Sequence, residues 1–201
     1  MTATTNVPGR RPRPHRREQL LDAAAELFRE RGYHATGIDD IGAAAGITGP
    51  GVYRHYRSKQ DLLVALFDRT AEGRIAAGAR LAPAGADPRA ALEALVDDHV
   101  RFAMADRSVI TVYLQELSSL QPSDAKRIRG SQRRYLDVWV GLLRQLHPRM
   151  EAEEALSTVH AAIGVIHSVA FHEGRLERSR LHAILRRSAL AVLRVPRLAA
   201  R

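Results

Sequence analysis

Cysteine is absent from this chain of 201 residues. Its absence excludes a disulfide scaffold, a thiolate metal site and a cysteine nucleophile, and it is consistent with a reducing compartment. Long apolar runs are also missing, since no window approaches the eighteen or so uninterrupted apolar residues of a membrane span. The first residues are rich in arginine and proline, unlike the apolar core of a signal sequence. The sequence therefore predicts a cytoplasmic protein without a membrane partner.

Charge of one sign is concentrated at the two ends. The net charge is +9, and 45% of the residues are hydrophobic, which is enough to bury a core in one or two domains. Residues 1–17 contain five arginines and no acid, and residues 174–201 contain eight arginines and one glutamate. Such clusters favour a polyanionic partner such as nucleic acid, although a solvated tail has the same composition.

Proline and glycine are sparse, and the stretches between them have a helical period with no lasting strand-like alternation. Nine helices are predicted, at about residues 17–31, 36–46, 50–56, 59–81, 88–105, 108–120, 123–147, 151–171 and 179–195. The predicted fold class is therefore all-α, with three short helices heading a bundle of longer ones.

Three helix starts have a capping signal. Thr36 is followed by Asp39, and Ser58 by Asp61, so that a side-chain cap precedes an acid in the first turn. Asp87 precedes Pro88, a residue well suited to a first helical turn. We expect helices to begin at each of these positions.

Residues 39–56 fit a helix-turn-helix, whose second helix lies in the DNA major groove. Such an element needs small residues where its helices cross, and Ala43, Ala44, Ala45 and Gly46 are the candidates. It also needs groups that bind phosphates and bases, and the following residues supply them: Thr48, Tyr53, Arg54, His55, Arg57 and Lys59. The pattern indicates a DNA-binding head.

The run from Thr36 to Leu63, TGIDDIGAAAGITGPGVYRHYRSKQDLL, resembles the N-terminal signature of TetR-type (TetR/AcrR) transcriptional regulators. Phe28, Gly32 and Tyr33 match the same pattern, and the resemblance covers about residues 16–66. It implies an Ω-shaped homodimer with N-terminal DNA-binding heads on a bundle that accepts a small inducer. The expected domains are a basic disordered arm (1–15), a helix-turn-helix domain (16–60) and a ligand-binding and dimerisation domain (61–201).

The resemblance also implies roles for single residues in binding double-stranded DNA. Thr36, Tyr53, His55 and Lys59 would contact phosphates, and Thr48, Gly49 and Gly51 at the start of the third helix would meet base edges. Because Gly49, Pro50 and Gly51 stand where family members often have longer side chains, few groups here can specify bases. Thr48, Arg54 and an arginine of the arm remain, so we expect readout to depend partly on DNA shape.

The second half of the chain predicts architecture better than chemistry. Across a two-fold axis, the helices at 151–171 and 179–195 would form a four-helix dimer interface. A pocket would lie among the helices from 88 to 171, with these candidate lining residues: His99, Phe102, Tyr113, Gln115, Tyr135, Trp139, His160, Ile163 and His167. Such a lining favours an apolar or amphipathic effector, such as an acyl-CoA, a fatty acid or a hydrophobic drug.

Three other function classes are alternatives to a ligand-responsive repressor. A metal sensor would use His160 and His167, which lie two turns apart without a converging third ligand. An architectural DNA binder would need basic charge along the whole body rather than at its ends. An enzyme has little support, because Ser123 and Lys126 match a Ser-x-x-Lys spacing without companion motifs. No catalytic residue, metal or cofactor is therefore expected, and the leading hypothesis is a repressor released from a palindromic operator by its effector.

Overall fold

A computed structural model describes residues 13–171, 174 and 176–193. These residues form nine α-helices and no strand, which confirms the all-α prediction. The helices are α1 (Arg13–Arg31), α2 (Ile38–Ala44), α3 (Gly49–Val52), α4 (Lys59–Leu81), α5 (Pro88–Ala105), α6 (Arg107–Glu116), α7 (Pro122–Leu146), α8 (Ala152–His167) and α9 (Arg178–Leu193). Short 3₁₀ helices, Leu117–Ser119 and Ser168–Phe171, follow α6 and α8. Most of the predicted basic arm and the last arginines of the C-terminal cluster lie outside the described residues.

Several predicted helix boundaries differ from the observed ones by up to four residues. Helix α1 begins at Arg13, four residues before the predicted start. Helix α3 ends at Val52 instead of residue 56, and a turn follows in which the Val52 carbonyl accepts bonds from the N–H groups of His55 and Tyr56 at 2.8 and 3.0 Å. Two glycines and a proline in four residues are poor helix formers, which accounts for the short α3.

Two of the three predicted caps are present. The N–H of Asp61 donates to Ser58 Oγ at 3.0 Å, and the N–H of Ala90 donates to Asp87 Oδ2 at 2.8 Å. The prediction for Thr36 is wrong, because the N-cap of α2 is Gly37, whose N–H donates to Asp40 Oδ2 at 3.0 Å. The side chain of Thr36 is used elsewhere, as described below.

The chain divides into two compact units, of which the first ends at Leu63 and the second begins at Val64. The division falls within α4, whereas the sequence placed it after residue 60. The first unit packs α1 to α3 and the start of α4 around these fully buried side chains: Leu20, Ala24, Phe28, Ile41, Val52, Leu62 and Leu63. Burial of each large apolar side chain is worth about 1.5–3 kcal/mol, so this small core can hold α1, the short helices α2 and α3 and the start of α4 together.

The core of the second unit is formed by α5, α7, α8 and α9. Its central side chains include Val96, Trp139, Leu143, Val159 and Ile166, all inaccessible to solvent. Trp139 Nε1 is the one buried side-chain polar atom without a hydrogen-bond partner in the part of the chain that the structure describes.

Helix α8 and its 3₁₀ extension are apolar on more than their packed side. The segment Ala152–Phe171 has the length and hydropathy of a membrane span, yet only 33% of its apolar window is buried. Its inner side packs through Val159, Ala162 and Ile166, which are inaccessible. An outer stripe of mostly small residues remains exposed: Ser157, His160, Ala161, Gly164, Ser168 and Phe171.

Candidate functional site

The turn between α2 and α3 reverses the chain over a few residues. Gly46 has a φ of +70°, a conformation that L side chains rarely adopt. The N–H of Gly46 donates to the Ala43 carbonyl at 3.0 Å, and the N–H of Ile47 donates to the Gly42 carbonyl at 2.9 Å. These bonds end α2 and direct the chain into α3, which gives the predicted helix-turn-helix.

Gly42 and Gly49 are the residues that permit close approach of α2 and α3. A Cβ on Gly42 would lie 3.0 Å from the Ile47 carbonyl oxygen, and one on Gly49 would lie 1.7 Å from Asp39 Oδ1. The predicted crossing residues were different, because Ala43 and Ala44 are exposed. The presence of small residues in the sequence therefore did not identify the point where α2 and α3 cross. The turn fixes the direction of α3, and this direction brings it against Gly42.

The outer face of α3 and its flanking residues is exposed. Val52 and Gly49 face the unit's interior, whereas Thr48, Pro50 and Arg54 are exposed and the Tyr53 side chain is 55% exposed. Gly51 is half-buried, and a Cβ there would meet no atom closer than 3.4 Å. This outer face, defined as residues 48, 50, 51, 53 and 54, combines donors with a flat glycine and proline surface.

Thr36, predicted to contact a phosphate, is only 1% exposed. Its hydroxyl lies 3.2 Å from the Leu27 carbonyl and 2.8 Å from the Gly32 carbonyl, to either of which it can donate. The side chain closes the end of α1 and is not available to a phosphate in this conformation.

Lys59 differs from its predicted role in the same way. Its Nζ donates to the carbonyls of Tyr33 and Thr36, both at 2.8 Å, and to that of His34 at 3.2 Å. The ammonium also lies 4.6 Å from the centroid of the Tyr33 ring, within cation–π range. Three acceptors match the three donors of an ammonium, so Lys59 fixes the segment between α1 and α2.

Two arginines of α1 donate hydrogen bonds to main-chain carbonyl groups of the helix-turn-helix region. Arg16 donates to the Ala45 carbonyl at 2.8 Å, at the end of α2. Arg17 donates to the His55 carbonyl at 3.2 Å and stacks 4.6 Å from the centroid of the buried Tyr56 ring. His55 itself is half-buried. From the sequence, both arginines were grouped with the basic cluster of residues 1–17, whereas in the structure they belong to α1 and make structural contacts.

A cavity of about 70 Å³ lies in the second unit, between α4, α5, α6, α7 and α8. Of the predicted lining residues, six contact it: His99, Phe102, Tyr113, Tyr135, Ile163 and His167. Trp139 is buried behind the wall, and Gln115 and His160 are exposed at the surface. These three residues were predicted to line the cavity but do not, because the helical period shows which side of its own helix a residue occupies and not which neighbouring element it contacts.

Helix α4 contributes a wall that the sequence did not predict. Phe67, Thr70, Ala71 and Arg74 line the cavity. Arg74 donates to Asp98 Oδ2 at 2.8 Å, and its guanidinium carbon lies 4.3 Å from the centroid of the Phe102 ring. These residues are spaced by three and four, which places them on one face of α4, and this spacing is the sequence signal that could have identified the wall.

One side of the cavity has a chain of three aromatic polar groups. His99 Nδ1 lies 3.1 Å from the Tyr135 hydroxyl, and His99 Nε2 lies 3.0 Å from His167 Nε2. The two imidazoles are stacked, with centroids 5.1 Å apart and an interplanar angle of 22°. We refer to His99 and His167 as the histidine pair.

The environment keeps the histidine pair neutral. Burial lowers the pKa of His167 to about 4. Burial, then the neighbouring His167 and Arg74, lowers the pKa of His99 well below its usual value. Burial also raises the pKa of the Tyr135 hydroxyl far above 10. All three groups are therefore uncharged near neutral pH.

The predicted metal alternative finds no geometric support. His160 is exposed, whereas His167 lines the cavity. Among the described residues, no group of three or more His, Cys, Asp or Glu side chains is placed to hold a metal ion. The structure therefore does not bring these two histidines to one site.

A helix-turn-helix unit followed by a helical bundle with an internal cavity defines a class of bacterial regulatory proteins. Two family models match the chain: "Bacterial regulatory proteins, tetR family" over residues 20–66, and "Tetracyclin repressor-like, C-terminal domain" over residues 85–190. The chain belongs to the tetR family.

Relatives in the family have different regulatory signs. The chain is 32% identical over 120 residues to the transcriptional activator FasR of Mycolicibacterium smegmatis, covering 60% of this chain and 55% of FasR. It is 32% identical over 129 residues to the transcriptional repressor KstR2 of Rhodococcus jostii, covering 64% and 63%. The matched region thus spans less than two thirds of either relative. The structure of FadR from Bacillus subtilis in complex with stearoyl-CoA has a TM-score of 0.73, 20% identity and coverage of 88% and 97%, which shows the common fold.

Proposed function

We propose that this protein is a cytoplasmic, homodimeric transcriptional repressor that binds a palindromic DNA operator and is released from it by a small effector. One observation carries the proposal above all others. Helix α4 is continuous from Lys59, which fixes the helix-turn-helix unit, to Arg74, which lines the cavity. A ligand that displaces the cavity part of α4 therefore acts on the helix that supports the DNA-binding unit.

The outer face of α3 is the proposed DNA contact. Thr48 and Arg54 meet base edges, and Gly51 permits the main chain to approach the groove. Tyr53, together with His55, binds phosphates. Thr36, Gly49 and Lys59 act on DNA binding indirectly, because their side chains or their lack of one hold the head together.

The exposed stripe of α8 is the proposed core of the dimer interface. Small residues such as Ala161 and Gly164 let two copies of α8 approach closely, and Phe171, which is 68% exposed, becomes covered at one end. With α9 alongside, two subunits form a four-helix interface. The dimer sets the separation of the two heads, which must match half-sites about 34–36 Å apart or a multiple of that distance.

The proposed effector is predominantly apolar. Eight of the fifteen residues that line the cavity have apolar side chains: alanine, phenylalanine, isoleucine, valine or leucine. FadR of Bacillus subtilis, crystallised in complex with stearoyl-CoA, gives an example of a ligand with a long acyl chain bound by a protein of this fold. The volume of about 70 Å³ is well below the roughly 300–1,000 Å³ of a drug-sized pocket. Ligand entry must therefore move a wall, and α4 is the wall whose movement reaches the head.

Selection of bound fragments from random DNA tests the proposal. A palindromic consensus, bound by a dimer, is the expected result, and enrichment of no sequence would overturn it. Affinity for the selected site should also fall by about 10³- to 10⁵-fold between 50 and 200 mM salt if six to ten phosphates are contacted. A reporter with the site overlapping its promoter then gives the sign: repression supports the proposal, and activation by the bound protein contradicts it.

A further inference from the structure

Most polar groups on the cavity wall have partners within the protein. The Thr70 hydroxyl donates to the Leu66 carbonyl at 2.9 Å, Arg74 is paired with Asp98, and the Tyr113 hydroxyl donates to Gln132 Oε1. Both nitrogens of His99 are occupied, by Tyr135 and by His167. Among the described residues, His167 Nδ1 and the amide nitrogen of Gln132 have no hydrogen-bond partner. A ligand that reaches His167 from the cavity can therefore form a hydrogen bond with Nδ1.

The geometry of the histidine pair fixes its proton count. Two Nε2 atoms 3.0 Å apart hold a single proton between them, so one ring donates and the other accepts. If His99 donates, neutral His167 has its second proton position at Nδ1 and presents a donor. If His167 donates from Nε2, its Nδ1 presents an acceptor. The hydrogen bonds from the Tyr135 hydroxyl through His99 to His167 can therefore run in either direction. Reversing them changes His167 Nδ1 from a donor to an acceptor without changing the charge of the site.

The single charged residue on the cavity lining already has a partner. Arg74 is paired with Asp98 at 2.8 Å, and Arg80, which is largely exposed, contacts the other oxygen of the same carboxylate at 3.3 Å. The low pKa values of the histidine pair, caused chiefly by burial, leave both rings neutral at pH 7. A carboxylate entering this site would lose its hydration and would have to compete with Asp98 for Arg74, which is unfavourable.

We propose that the cavity selects an uncharged, mainly apolar ligand with one oxygen function, a carbonyl or a hydroxyl, and that His167 Nδ1 binds this oxygen. The inference rests on the proposed ligand response and specifies its chemistry. It makes the histidine pair the determinant of ligand polarity, and the remaining wall the determinant of ligand shape.

Three eight-carbon probes test the proposal: octan-2-one, octan-2-ol and octanoate, titrated into the full-length protein at pH 7.5. Trp139 is the single tryptophan, and the centroid of its ring lies 5.9 Å from that of the His99 ring. Its fluorescence therefore reports on the site. The ketone and the alcohol should each bind at least tenfold more tightly than octanoate. Imidazole ¹⁵N shifts of His167 should change with the ketone and remain those of a neutral ring.

The substitution His167→Leu should weaken binding of the ketone by fivefold or more and that of octanoate by less than twofold. Gln145→Leu on α7 is the control, since Gln145 is exposed and lies outside both the cavity lining and the α8 stripe, so it should alter neither. Circular dichroism shows whether His167→Leu folds. If it does not, His167→Gln replaces it, because this variant keeps a neutral polar side chain. Its affinity for the ketone should lie between that of the wild type and that expected for His167→Leu.

Octanoate binding as tightly as octan-2-one would overturn the inference, as would an equal loss of both probes in the His167 variant. Neither result affects the DNA-binding proposal, which the fragment selection tests without any ligand. Failure of all three probes to bind at 1 mM would overturn the inference as well, and a selected operator in the same experiment series would leave the DNA-binding function standing.

Discussion

Lys59 Nζ and the carbonyl oxygen of Thr36 are joined by a hydrogen bond of 2.8 Å. The bond links the first turn of α4 to the residue that precedes the N-cap of α2, and Tyr33 and His34 accept from the same ammonium. A residue that resembles a phosphate ligand is thus part of the support of the DNA-binding unit.

We predict that Lys59→Met destabilises the protein. Hydrogen bonds to a charged group contribute about 1.5–3 kcal/mol, and partial solvent access reduces that value here, so a loss of about 1–2 kcal/mol is expected. Urea unfolding followed by circular dichroism measures it. Lys126→Met on α7 is the control, because Lys126 is exposed and should change the midpoint little. An unchanged midpoint for Lys59→Met, with weaker DNA binding, would restore the direct phosphate contact predicted from the sequence.

Gly42 and Gly73 should respond in opposite ways to an added side chain. A Cβ on Gly42 meets main-chain atoms of the turn at 3.0–3.2 Å, so Gly42→Val should displace α3, cost about 1–3 kcal/mol and abolish operator binding. Gly73 in α4 has nothing within 4 Å of a Cβ, so Gly73→Ala should stabilise the helix by up to about 1 kcal/mol. The melting temperature should fall below that of the wild type for Gly42→Val and rise above it for Gly73→Ala. Equal shifts in the same direction would show that Gly42 is not a contact residue.

Local signals in the sequence were reliable where the bonding partner is also local. The caps at Ser58 and Asp87 bond residues three positions away, and both were predicted. The structural contacts of Thr36 and Lys59 were not predicted, because their acceptors lie up to 26 residues away and follow from how α1, α2 and α4 pack. A polar residue in a DNA-binding motif has the same sequence appearance whether it faces outward or inward.

The cavity was predictable in outline for a related reason. The helical period of the apolar residues predicted most of the lining residues on α5 to α8, because these residues lie on the apolar faces of amphipathic helices, which point into the bundle. Arg74 and the other α4 residues were missed because period alone does not reveal which bundle helix an α4 face meets. The 3.0 Å contact between His99 and His167, 68 residues apart, has no signal in a single sequence.

Tyr53 and Arg54 should differ in their effect on DNA specificity. Tyr53→Phe removes a hydroxyl proposed to bind phosphate, so affinity should fall by a similar factor for all sites. Arg54→Ala removes a proposed base contact worth about 1–3 kcal/mol of discrimination, so it should weaken the selected site more than single-base variants at the contacted position. Titration of both variants against a set of mutated sites measures this. Parallel losses for Arg54→Ala on every site would assign it to the backbone instead.

Ala161→Arg should separate the subunits without unfolding them. The residue is exposed in the centre of the small-residue stripe of α8, where a long cationic side chain would prevent close helix approach. Light scattering after size exclusion should report a monomer, or a dimer weakened by tenfold or more, with helical content retained. Gln145→Arg on α7, also exposed, adds the same charge away from the stripe and should remain dimeric. A fully dimeric Ala161→Arg protein would place the interface elsewhere.

Acid should destabilise the protein through the histidine pair. A histidine has an ordinary pKa of about 6.5, and burial lowers that of His167 to about 4 in the folded state. Between these values the unfolded chain binds the extra proton, so the free energy of unfolding falls as the pH drops from 6.5 towards 4. At about 1.36 kcal/mol per pKa unit the full loss is roughly 3 kcal/mol, and His99 shifts in the same direction.

Urea unfolding at pH 7.5 and pH 5.0, at one protein concentration, measures this dependence. Because carboxylates also titrate in acid, the comparison that matters is between variants. His167→Gln removes the titrating ring and should flatten the decline between the two pH values, whereas His34→Gln, at an exposed position outside the α8 stripe, should leave it as in the wild type. If His167→Gln declines as steeply as the wild type, the buried pair does not account for the acid sensitivity, and its neutrality near pH 7 loses its support.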